Sequence, residues 1–88
     1  MERRFQINNN KEGNQTIQGN IPLGHLLQRP EIKEYISKMG STARTRPGEM
    51  SVEIVPPLTT PEQQSLAEFI VEVALSLDPE NPPTYEIN

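Results

Sequence analysis

Thr60-Pro61-Glu62-Gln63-Gln64-Ser65-Leu66-Ala67-Glu68-Phe69-Ile70-Val71-Glu72-Val73-Ala74-Leu75-Ser76-Leu77 is the most strongly specified stretch of this chain, and its reading decides the fold. Thr60 suits an N-cap and Pro61 the first helical turn. Glu62 complements the positive end of the helix dipole, and Gln63 completes a Thr-x-x-Gln capping box. Pro79 enforces a stop, because the residue before a proline, here Asp78, is biased away from helical angles. The spacing therefore predicts a helix over 61–77. At about 100° per residue, Leu66, Ile70, Val73 and Leu77 centre an apolar face. Phe69 lies on one edge, while Ala67, Ala74, Val71 and Leu75 extend the other. Ser65, Glu68, Glu72 and Ser76 share the only polar wedge.

Roughly two thirds of that circumference is apolar, whereas a surface helix needs a stripe of about 100°. Two readings account for the excess. The helix is the central core element, wrapped by the rest of the chain; or it presents an interface, with Leu66, Phe69, Ile70, Val73, Ala74 and Leu77 docking a second copy or the groove of a protein partner. Ala67 and Ala74 would let a second helix approach closely. The three-and-four alternation is that of a coiled-coil seam, but two heptads are too few to establish one.

Working outward, Met50, Val52 and Ile54 alternate with Ser51 and Glu53, which predicts a half-buried strand near 50–55 that Pro56 and Pro57 terminate. Ser41 to Gly48 has no period, ends in Pro47-Gly48 and reads as a loop. Pro30 fits the start of a helix over about 30–39, with Gly40 as its stop. Ile32, Tyr35, Ile36 and Met39 form its apolar stripe. Ile21 to Gln28 reads as a short turn. Phe5 and Ile7 alternate with Arg4 and Gln6, and Thr16-Ile17-Gln18 follows a polar run, so residues 1–20 read as a hairpin or as an arm that orders on a partner. Pro79-Glu80-Asn81-Pro82-Pro83 makes residues 79–88 an extended tail with Tyr85 and Ile87 able to dock back. The expected fold is a small α+β domain with its core over 21–78; the alternative is a mainly helical one with extended arms.

Length and composition narrow the function. Chains of 88 residues bury only about 60% of their unfolded surface, which limits the core. There is no Cys, hence no disulfide and no thiolate metal site. No stretch approaches the roughly 20 apolar residues of a membrane span, and Met1 to Gln6 lacks the apolar region of a secretory signal, so a cytoplasmic protein is expected. The charge is divided between the halves. All eight Lys and Arg residues lie at or before Arg46, and residues 1–48 hold four acids against them, a balance of +4; residues 49–88 hold the remaining eight of the twelve acids and no base, a balance of −8, for a net −4. Such asymmetry marks an interaction protein.

Chemistry-bearing motifs are lacking. His25 is the only histidine and Asp78 the only aspartate, so neither a catalytic dyad nor a three-ligand metal set is legible. His25 beside Leu26 and Leu27 reads as a partly buried structural residue. No phosphate-binding glycine loop occurs. Arg44 and Arg46, on a hydroxyl-rich loop, are the candidate anion-binding residues, with Arg3, Arg4 and Lys11 available to extend the patch. Five bases on an acidic chain make a weak footprint for nucleic acid. The sequence thus points to a non-enzymatic regulatory or adaptor protein, with no cofactor, that binds a protein partner or assembles as a dimer. The alternatives are an antitoxin-like, DNA-associated regulator and a small-ligand-binding or nucleotide-binding oligomer.

Overall fold

The computed structural model describes residues 2–45 and 51–88. Met50 and Arg46, singled out above, lie outside them. The chain forms an α+β fold in which one mixed sheet carries all the helices on one face. In chain order the elements are β1 (Arg4–Asn9), β2 (Gln15–Gly19), α1 (Leu23–Leu26), α2 (Pro30–Lys38), β3 (Thr42–Arg44), β4 (Ser51–Val55), α3 (Thr60–Leu77) and β5 (Thr84–Ile87).

The N-terminal segment is a hairpin. Phe5 and Ile7 of β1, with Gln15 and Ile17 of β2, turn inward and are buried. The connecting turn is closed by Asn10, whose side-chain oxygen accepts from the backbone N–H of Glu12 at 2.9 Å and of Asn14 at 3.0 Å. Gly13 takes the positive φ of +87° that this turn requires. β2 pairs antiparallel with β4 and β4 with β3, while β5 pairs parallel with β1, so the strand order is β3-β4-β2-β1-β5.

Three segments differ from the sequence reading. The expected loop after Gly40 contains β3, whose Thr42, Ala43 and Arg44 have no apolar alternation and are strand only because β4 supplies a ladder. The expected tail supplies β5, since Tyr85 and Ile87 fall opposite Phe5 and Ile7 and the Tyr85 ring stacks on Phe5 at 5.9 Å. The stretch from Ile21 to Leu27 is also more than a turn: Ile21, Leu23, Leu26 and Leu27 are all core residues, while His25 points outward and is exposed, so it is not the partly buried residue expected.

Helix α2 buries Ile32 and Ile36 and ends at Gly40, where φ is +82°. Helix α3 begins one residue earlier than expected. Its N-cap is Thr59, whose hydroxyl accepts from the Glu62 backbone N–H while the Glu62 carboxylate accepts from the Thr59 backbone N–H at 2.9 Å. The pattern Thr-x-x-Glu outcompetes Thr60-x-x-Gln63 because Gln63 is needed inside. Gln63 and Gln15 are both buried, and with Asn9 they form a cluster of side-chain amides around the backbone of Leu58.

The sheet settles how much of α3 this chain can cover. Leu66, Ala67, Ile70 and Ala74 are buried in the core over the strands. The opposite face of the sheet has no helix on it among the described residues. Strand alternation places Arg4, Gln6, Asn8, Thr16, Gln18, Ser51, Glu53 and Glu86 there, an almost wholly polar surface.

Candidate protein-contact surface

Eighteen residues make α3 about 27 Å long, whereas the five-residue strands β2 and β4 span about 17 Å. The helix therefore overruns the sheet. Leu77, on the last turn, belongs to the same stripe as Leu66, Ile70 and Ala74, yet it is 54% exposed. Towards α2, the flank of α3 carries Phe69 and Val73, both half-buried. Phe69 is held by Tyr35 of α2, with ring centroids 4.5 Å apart and planes inclined by 22°, a stacked arrangement worth about 0.5–1.5 kcal/mol beyond its burial.

Phe69, Val73 and Leu77 form the apolar floor of a groove of about 330 Å³ between the C-terminal half of α3 and the start of α2; Arg29, Glu31 and Glu72 stand on its rim. Arg29 Nε donates to Glu31 Oε1. That bond holds the Glu31 carboxyl below its ordinary pKa. The last turn of α3 has no base. Its free carbonyls and Glu72 leave that end of the groove anionic.

Of the six interface residues expected from sequence, the structure divides the set. Leu66, Ile70 and Ala74 are packed inside this chain and present nothing to a partner, because the hairpin and β5 supply the cover that length alone argued against. Phe69, Val73 and Leu77 are brought together on the surface. Arg29 and Glu31 complete the groove, and Tyr35 backs its Phe69 from α2; the sequence reading named none of the three as a site residue. For Tyr35 a signal existed: it sits at the edge of the α2 stripe as Phe69 does on α3.

The anion-binding pair fares differently. Arg44 lies on β3, 3.6 Å from the Glu53 carboxylate on β4, which offsets its charge, and Arg46 lies outside the described residues. Arg3 is engaged with Asp78 at 3.2 Å, tying the start of β1 to the end of α3. A wide basin of about 980 Å³ opens on the polar sheet face, lined by Arg4, Gln6, Gln18, Ser51 and Glu86 among others. Among the described residues, no three His, Asp or Glu side chains converge as metal ligands, and no helix is long and apolar enough to cross a membrane. No family model matches the chain, and no curated protein or solved structure matches it either.

Proposed function

We propose that this chain is a non-enzymatic regulatory or adaptor protein that acts by protein contact, and that its primary contact is self-association as a dimer through the α2–α3 groove. The observation that carries the reading is the overrun of α3, which leaves Leu77 54% exposed beside Phe69 and Val73 in a concave apolar floor. A floor of that kind gains from a second apolar surface by the area it removes from water, at about 25 cal/mol per Å². The polar and charged rim then sets register and orientation more than affinity.

Mass in solution, by sedimentation or light scattering across a concentration series, tests this. Leu77→Asp is the informative variant, because its side chain is more than half exposed and its loss leaves the core intact. The wild type should sediment as a dimer and the variant as a folded monomer with an unchanged circular dichroism spectrum. A wild-type monomer at high micromolar concentration, or a dimer indifferent to Leu77→Asp, would refute the dimer through this groove.

A further inference from the structure

The sheet has a second unpartnered feature, the outer edge of β5. The Thr84 N–H donates to the Arg3 carbonyl at 3.0 Å, the Asn88 N–H to that of Ile7 at 2.8 Å, and the Asn9 N–H to that of Asn88 at 3.2 Å. Thr84 and Asn88 thus spend their backbone groups on β1. Alternation then turns the N–H and C=O of Tyr85 and Ile87 away from the sheet. Strand order places no strand beyond them among the described residues. Thr84–Ile87 contains no Lys, Arg or Pro, and its register with β1 runs unbroken from Arg4↔Thr84 to Ile7↔Ile87, without a bulge.

A second observation is independent of the backbone. On α3, Val71 and Leu75 occupy the flank opposite the one that meets α2, on the side of the sheet where β5 lies. Leu75 is 40% exposed. Val71, Tyr85 and Ile87 are only half-buried. The helix thus provides an apolar overhang beside an open ladder. Residues of an added strand that point to the helix side would cover Tyr85 and Ile87 and lie under Val71 and Leu75.

Charge decides between a second copy and a different protein. The antiparallel two-fold register that uses all four outward groups of Tyr85 and Ile87 is centred on Glu86, and sets two Glu86 carboxylates directly opposite each other, a destabilising cross-strand pair. Centring on Tyr85 instead pairs Ile87 with Pro83, which has no N–H to give. Glu86 projects on the open face, where it is exposed. We infer that the β5 edge binds an extended segment of another protein as an added strand, one that alternates apolar residues facing α3 with basic residues facing the open side.

The probe is the peptide acetyl-Thr-Lys-Val-Lys-Val-Lys-Thr-amide, titrated into 15N-labelled protein and followed by NMR with amide exchange. Its valine amides face β5 when its lysines face Glu86. Binding should shift the amides of Tyr85 and Ile87 and slow their exchange, and methylating the valine nitrogens should abolish both effects. Glu86→Lys should weaken the peptide roughly two- to fivefold, the scale of one cross-strand charge pair, and a Glu-for-Lys peptide should recover the loss. Absence of slowed exchange at Tyr85 and Ile87 at millimolar peptide would overturn the inference, as would equal binding by the N-methylated peptide or shifts confined to Phe69, Val73 and Leu77.

Discussion

Replacing Gln15 by Leu should destabilise this protein distinctly more than replacing Gln63 by Leu, although each substitution removes three hydrogen bonds of the same amide cluster. The difference follows from what each leaves behind. Gln15 Oε1 accepts from the Leu58 N–H at 3.0 Å, the only bond that donor has in the cluster, while its Nε2 donates to Asn9 Oδ1 at 2.7 Å and to the Leu58 carbonyl at 3.2 Å. Gln63 Nε2 donates to the same two acceptors, at 3.2 and 2.9 Å, and its Oε1 accepts from Asn9 Nδ2 at 2.8 Å. After Gln63→Leu, Gln15 still serves both acceptors, and Asn9 Nδ2 keeps its bond to the Asn88 carbonyl at 2.9 Å. No group is orphaned. The expected cost is that of ordinary net hydrogen bonds, about 1 kcal/mol. After Gln15→Leu the two acceptors keep Gln63, but the Leu58 N–H, in a residue only 5% exposed, loses its partner. Stranding a buried donor adds about 1–3 kcal/mol, so the total is about 2–4 kcal/mol. The double replacement strands the buried Leu58 carbonyl as well and should exceed the sum of the singles. Urea unfolding of the four proteins measures this, with a midpoint shift of about 4–8 °C per kcal/mol expected in parallel thermal scans. Equal costs for the two singles, or strict additivity, would refute the reasoning.

Three further outcomes follow from other sites. Thr59→Ala should lower stability by about 1 kcal/mol through loss of the cap, while Thr60→Ala changes the denaturant midpoint little; the reverse order would show that the helix starts at Thr60 as its N-cap. The Glu62 carboxyl is held below its ordinary pKa, first by the Thr59 backbone N–H and then by its hydroxyl. Its contribution is therefore complete above the unfolded carboxylate pKa and lost as pH falls through the lower folded value. Glu62→Gln should accordingly flatten stability against pH between about 5 and 2, and an acid limb unchanged by the substitution would count against the capping box. Gly19→Ala should cost about 1–3 kcal/mol, because its new Cβ would meet the backbone carbonyl of Arg4 and lie 2.6 Å from Phe5 Cα, neither of which can swing aside; a variant as stable as the wild type in urea would show that the β1–β2 pair relaxes freely.

The elements whose signal is local are legible in the amino-acid order alone. Helix α2 is legible in the spacing of Ile32, Tyr35, Ile36 and Met39 and in Pro30 and Gly40 at its ends. Helix α3 is legible because its apolar period persists over 18 residues. The Val52–Ile54 alternation marks β4, and Phe5, Ile7 and Ile17 mark the hairpin. The other elements depend on partners distant in the chain and emerge only in the folded molecule. Thr42–Arg44 becomes a strand through β4, and Thr84–Ile87 through β1, some 80 residues earlier. The choice of Thr59 over Thr60 as cap turns on Gln63 being claimed by Asn9 and Leu58. Periodicity could not say which of Leu66, Phe69, Ile70, Val73, Ala74 and Leu77 would remain on the surface. Helix spacing places a residue on a face; which turns of that face are covered is decided by strands from both ends of the chain, and here Ile70 is buried and Leu77 is bare.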